Sequence, residues 1–168
     1  MGIAISLKDY LEARDVAFDC VTHKRTTRAM QSAVVSHISG ERLAKAVVLR
    51  HRDGYVMTVL PASRNVNIDE VGGWLKQPVS LATEDEIAPL FPDCEVGAIP
   101  PVGAAYGMQT LVDRELDAQD DIYFEAGDHK TLVHLTGKQF RELTSSETHG
   151  RFCAALDLAG DGTHYHGA

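Results

Sequence analysis

The stretch AVVLRHRDGYVMTVLPA, residues 46–62, is two apolar, β-branched runs on either side of Arg52-Asp53-Gly54. Asp-Gly is a favoured tight turn, because it tolerates the positive backbone angles that a short hairpin needs. The segment therefore predicts an antiparallel hairpin. Working outward, SLKDYLEARD (6–15) has Leu7, Tyr10 and Leu11 on one helical face, with Ser6 as its cap. Val16 to Val21 reads as a short strand ending near His23. KRTTR (24–28) is a basic link, and Thr26 or Thr27 caps a second helix running to about His37. Ser39 to Ala44 reads as a short helical turn leading into Lys45 and the strand 46–50.

Beyond the hairpin, Asn67 or Asp69 opens a helix with Val71, Trp74 and Leu75 toward the core, and Pro78 stops it. Val79 to Leu81 is a short strand. Thr83 followed by Glu86 is a capping box, which predicts a helix over 84–90. Val96 to Pro101 and Gln109 to Asp113 read as extended. DIYFEA (121–126) alternates, Gly127-Asp128 turns the chain, and TLVHL (131–135) returns it. Thr136 then opens a helix that carries Phe140 and Leu143. Helices and strands are intermixed around at least one hairpin. That pattern indicates α+β architecture, a mixed and mostly antiparallel sheet with flanking helices, and not a doubly wound parallel fold. One domain is expected over residues 1–157, with 158–168 as a Gly-rich tail.

The 168 residues carry a formal net charge of −8, unevenly spread. Residues 1–69 hold ten Lys/Arg against seven Asp/Glu, and residues 70–168 hold six against seventeen. A locally basic first part can engage a polyanion on a chain that is acidic as a whole. No apolar run is long enough to span a bilayer, and the start lacks the pattern of a signal peptide. Cys20, Cys94 and Cys153 are odd in number, far apart and outside any CxxC. They are expected as small buried hydrophobes in a reducing cytoplasm. No His-rich metal motif, no GxSxG and no basic recognition helix is present, so a metal centre, a serine nucleophile elbow and a DNA reader are not expected.

Two features draw attention as chemistry. Lys45 interrupts an apolar stretch, either snorkelling to water or holding a phosphate or an oxyanion at a pocket mouth. The loop GAIPPVGAAYG (97–107) is rich in Gly and Pro and free of charge, so its backbone can approach a ligand closely or simply turn between strands. His23, at a strand end beside the basic link, can hydrogen-bond a substrate.

Taken in order, His23, GERLAKAVVLR (40–50), YVMTVLPASRNVNIDEV (55–71), VGAIPPVG (96–103), TLVD (110–113) and DIYFEAGDHKTLVHLTGKQFREL (121–143) resemble the YbaK/ProX family, the prolyl-tRNA-synthetase-associated editing domain. The likeness spans about residues 5–145. It implies a barrel-like α+β domain and a freestanding cytoplasmic deacylase that cleaves a mischarged small amino acid from tRNA, with no cofactor. The implied partners are the tRNA 3′ acceptor end, with tRNA-Pro as the expected species, and a prolyl-tRNA synthetase. By the same resemblance the family's lysine falls on Lys45 and its GGxSPxG loop on Gly97 to Gly103. Lys45, Gly97 and Ala98 are then the catalytic positions. His23, Ile99, Pro100, Gly103 and His129 are the expected substrate contacts. Lys24, Arg25, Arg28 and Arg64 are the expected tRNA phosphate contacts. The chain departs from the family at Ala98, where the second glycine belongs, and at Pro100, where the serine belongs. Those departures leave open a noncatalytic tRNA- or nucleotide-binding module with the same pocket.

Overall fold

The computed structural model describes residues 2–26 and 29–154. In chain order the elements are α1 (Ile5–Ala13), β1 (Asp19–Thr22), α2 (Ala29–Val35), β2 (Leu43–His51), β3 (Gly54–Pro61), α3 (Ile68–Leu75), β4 (Ser80–Leu81), α4 (Glu84–Ile87), β5 (Gln109–Asp113), β6 (Asp121–Glu125), β7 (Thr131–Thr136), α5 (Gly137–Leu143) and β8 (Thr148–Gly150). The strands form one mixed sheet in the order β1-β7-β6-β2-β3-β5-β8, with β4 also pairing to β2. The expected α+β sheet is present. Its end strands, β1 and β8, do not pair with each other, so the sheet is open and not closed into a barrel.

The hairpin organises the sheet. β2 and β3 pair in register from Ala44↔Pro61 to His51↔Gly54. The two turn residues are Arg52 and Asp53, and Gly54 follows at φ 146°, one residue later than the Asp-Gly pattern suggests. Parallel partners flank the hairpin, β6 beside β2 and β5 beside β3. Both faces are covered, which is why β2 reads as nearly continuous apolar sequence. Ala44, Ala46 and Val48 point into the main core with Met57, Val59, Phe91, Phe124 and Phe140. Val47 and Leu49 pack on the other face with Leu60, Val66, Val71 and Phe152.

Several local expectations shift for identifiable reasons. Residues 40–42 form a turn, not a helix, because Tyr123 N–H already bonds to Arg42 O and draws the chain into the sheet. Lys45 therefore lies inside β2 and not at a helix–strand junction. Ser6 does not cap α1. Instead the Asp93 carboxylate, from a distant loop, accepts the Ser6 N–H at 2.8 Å. Residues 96–101 form an irregular loop, and Gly103–Tyr106 is a 3-10 turn. Trp74 is 51 % exposed and packs in a T-shaped pair with Phe152. Cys20 is exposed, whereas Cys153 is buried. The polar run near Ser145 contains a strand the sequence does not suggest: β8 lies parallel to β5, and the His149 ring bridges Asp117 and Thr144 O. The capping boxes at Thr83/Glu86 and Thr136/Gln139 are both complete. Residues 158–168 lie outside the described residues.

Asp93 ties three segments that frame the site. It caps α1 through Ser6 and accepts the Tyr106 hydroxyl at 2.8 Å. Burial pushes its carboxyl up, but these hydrogen bonds more than reverse that and hold it below its ordinary value. A depressed carboxyl stabilises the fold fully above its unfolded pKa, and the contribution is lost as pH falls through the folded value. Asp93→Ala should cost about 1–2 kcal/mol in urea unfolding at about pH 7. The gap to the wild type should narrow as the pH is lowered through the carboxylate range.

Candidate active site

The site arises where two parallel strands part. β6 pairs with β2 only at Leu43↔Tyr123 and Ala44↔Phe124. β4 takes up the same edge only at Leu49 and Arg50, just beyond Ala82 N–H bonding to Val48 O. Between those contacts the edge of β2 has no strand partner among the described residues. A cavity opens there, lined by Ala44, Lys45, Ala46, Val48, Ile87, Gly97, Ile99 and Glu125. Its volume is about 20 Å³, on the measure by which one water needs about 10–15 Å³. It therefore admits only a small group.

Strand alternation puts Lys45 and Glu125 on the same face, each two residues beyond a register pair. The Lys45 ammonium donates to Ala62 O at 3.4 Å. Burial lowers its pKa from 10.5 to about 8, an effect that Cys153 only partly opposes. Among the described residues no carboxylate lies within ion-pair distance of it. Glu125 is 5 % exposed, and burial pushes its carboxyl up. Its Oε1 accepts the Ser32 hydroxyl and lies 4.0 Å from His23 Nε2. Its Oε2 is buried without a partner.

Each of the two histidines spends one ring nitrogen on a carbonyl, which can only accept. His23 Nδ1 donates to Lys24 O at 2.6 Å, which leaves Nε2 as an acceptor in the neutral ring. His129 Nε2 donates to Val96 O at 2.7 Å, which leaves Nδ1 as an acceptor in the neutral ring. Both remaining nitrogens are buried and make no hydrogen bond. His129 holds a left-handed turn at φ 60° and clamps the residue just before Gly97.

The loop divides its residues between cavity and core. Gly97, at φ 88°, and Ile99 face the cavity. Ala98 is fully buried away from it, and its N–H is used within the turn on Glu95 O at 3.1 Å. Pro100 is buried too. Gly103 packs so closely that a Cβ would lie 2.1 Å from Thr110 Oγ1. Of the expected site residues, the structure thus gathers Lys45, Gly97 and Ile99 around the cavity, with His23 and His129 near Glu125. Ala98, Pro100 and Gly103 shape the loop from behind. Lys24 is exposed, whereas Arg25 is already paired with Glu95. Arg64 is mostly buried, 3.9 Å from Glu115. Arg28 lies outside the described residues.

Glu125 is the residue that sequence reading passes over. In DIYFEA it occupies an ordinary polar position of an alternating strand. The available signal is its place between two small or apolar residues, Phe124 and Ala126, both fully buried. No group of His, Cys, Asp or Glu suited to a metal occurs among the described residues. None of the described helices is long and apolar enough to cross a membrane.

A model of the aminoacyl-tRNA editing domain matches residues 23–143, and the chain belongs to that family. The matched span contains Lys45, the 97–103 loop, Glu125 and His129. No curated protein matches. Among solved structures, the hypothetical protein APE2540 is 21 % identical at a TM-score of 0.79, covering 89 % of this chain and 99 % of that one. A candidate trans-editing enzyme for prolyl tRNA synthetase is 19 % identical at a TM-score of 0.79, covering 90 % and 97 %. A candidate signal transduction protein from Marinobacter aquaeolei VT8 is 18 % identical at 0.72, with this chain covering 31 % of its length. These likenesses establish a shared fold.

A buried ammonium costs stability while it is charged. Below about 8 both folded and unfolded chains hold the Lys45 proton. Between about 8 and 10.5 the unfolded chain holds more, so wild-type stability gains from this residue as pH rises. Lys45→Met should be more stable than the wild type by on the order of 2 kcal/mol at about pH 7. That advantage should shrink toward about pH 10, read by urea unfolding at both values.

Proposed function

We propose that the protein is a freestanding aminoacyl-tRNA deacylase that hydrolyses the ester between a mischarged small amino acid and the terminal adenosine of tRNA. Membership of the editing family supports the class of reaction. The observation that carries the finer reading is the small cavity in the β2–β6 gap, which Lys45 lines together with Gly97 and walls of alanine, valine and isoleucine. The fold shared with a candidate trans-editing enzyme for prolyl tRNA synthetase favours tRNA-Pro as substrate and that synthetase as a partner.

An aminoacyl ester is already activated, so a well-placed water suffices as nucleophile. Water adds to the ester carbonyl, the bond from carbonyl carbon to ribose oxygen breaks, and the departing oxygen takes a proton. The neighbouring ribose hydroxyl assists in orienting and deprotonating the water. Lys45, held by Ala62 O, fixes the phosphate-bearing end of the RNA rather than acting as nucleophile. The Gly97 N–H, which donates to no acceptor among the described residues, serves the oxyanion. Ala98 has no such free amide, so its part is to hold the turn. His23, Ile99 and His129 frame the aminoacyl group, and Pro100 and Gly103 keep the loop in place.

Selectivity follows from volume. A cavity this small accepts a methyl-sized side chain and turns away proline and larger groups, at roughly 10–200-fold per methylene. The RNA backbone meets the exposed Lys24 and Arg25, the latter exchanging Glu95 for a phosphate, with Arg28 and Arg64 as further contacts. Ala98 and Pro100, the two departures that suggest a binding module without turnover, do not line the cavity, and so favour no second reading.

Release of free amino acid from a panel of mischarged tRNAs should be fastest for alanyl-sized groups. Lys45→Ala, folded by circular dichroism, should lose on the order of 100-fold in kcat/KM. Unchanged hydrolysis by Lys45→Ala would remove the role assigned to that residue. Salt-dependent tRNA binding with no release from any ester would replace the enzyme with a binding module.

A further inference from the structure

The proposed reaction uses Lys45 and Gly97 and leaves a second charged group in the same cavity without work. Glu125 is a buried carboxyl whose Oε2 has no hydrogen-bond donor. Buried polar atoms are nearly always satisfied, so such a vacancy calls for a partner. Two further buried acceptors lie unsatisfied in its surroundings. They are His23 Nε2, 4.0 Å from Glu125 Oε1, and His129 Nδ1, both buried without a hydrogen-bond partner. With one nitrogen of each ring donating to Lys24 O or Val96 O, the other is an acceptor in the neutral ring. Glu125 Oε2, with these two nitrogens beside it when the rings are neutral, describes a locus for a cation with several N–H groups.

The charges also sort the ligand. Lys45 and Glu125 both line the cavity and share one sheet face, opposite that of Ala44, Ala46 and Val48, yet no ion pair joins them among the described residues. Each is held for something external. An anionic end suits Lys45 and a cationic end suits Glu125. The remaining walls, Ala44, Ala46, Val48, Ile87 and Ile99, are apolar. An aminoacyl ester at an RNA terminus has this distribution: phosphates on one side, a small side chain in the middle and an α-ammonium on the other. Ser32, itself bonded to Thr26, fixes Oε1 and orients the carboxyl.

We propose that Glu125 is the receptor for the α-ammonium of the aminoacyl group and makes the site selective for free amino acids over uncharged acyl groups. The inference rests on the deacylase reading for the identity of the ligand, but its test does not require turnover. The probes are two stable tRNAs that carry an amide link at the terminal adenosine. One bears an L-alanyl group and the other a lactoyl group, with hydroxyl in place of ammonium. Binding of each is measured to the wild type and to Glu125→Gln.

The wild type should prefer the alanyl tRNA by at least about 10-fold. Glu125→Gln should bring the two to near equality by weakening alanyl binding while leaving lactoyl binding in place. Equal wild-type affinities, binding of neither probe, or a preference that survives in Glu125→Gln would each overturn the proposal. The wild-type comparison decides even if the variant does not fold. Preference for the alanyl probe without ester hydrolysis would retain the role of Glu125 and discard the deacylase. Hydrolysis without any preference would do the reverse.

Discussion

The parting of β2 from β6 after Ala44 and Phe124 is the constraint on which the rest depends. Two parallel strands that stayed paired would fill the space now occupied by the cavity. Their separation leaves a short stretch of β2 without a neighbour, between a parallel ladder on one side and the brief β4 pairing on the other. The 97–103 loop and Ile87 cover that stretch in place of a strand. The His129 ring bond to Val96 O, the Arg25–Glu95 pair and the Asp93 cap of α1 hold the covering loop from three directions. The gap is a built feature, set between secure hydrogen-bonded segments.

Charge in this place is costly, and the fold bears that cost without neutralising it. Pairing Lys45 with Glu125 would relieve both desolvated groups, yet Lys45 turns to the Ala62 carbonyl and Glu125 to Ser32. Strained or under-satisfied groups of this kind cluster where a ligand will complete them. The unpartnered nitrogens of His23 and His129 belong to the same pattern. An apolar replacement at Lys45 that stabilises the chain and abolishes its activity would express that exchange directly.

Much of the fold is legible in the sequence because its signals are local. The 46–62 hairpin, the Thr83 and Thr136 caps and the alternation in 121–126 each depend on residues within a few positions of one another. What escapes is set by distant partners. The α1 cap comes from Asp93, 87 residues beyond Ser6 in the chain. β8 is three residues long and exists because β5 offers it an edge. Trp74 shares the helical spacing of a core residue but is half exposed, with its ring against Phe152.

The site divides in the same way. Lys45 stands out as a lone charge in an apolar run, although its place inside β2 becomes visible only when Tyr123 pairs with Arg42. Gly97 is legible through the loop's composition, whereas the inward turn of Ala98 is not. Glu125 is invisible to pattern because a polar residue at that phase of a strand is ordinary, and only tertiary structure reveals that its face is covered by α2. The central claim, that the gap between β2 and β6 receives the aminoacyl end of tRNA, is tested most directly by methyl NMR during titration with a stable alanyl-tRNA analogue. Shifts are expected to centre on the methyl groups of Ala44, Ala46, Val48, Ile87 and Ile99. Binding that leaves those methyls unmoved, with shifts gathered on another face, would contradict it.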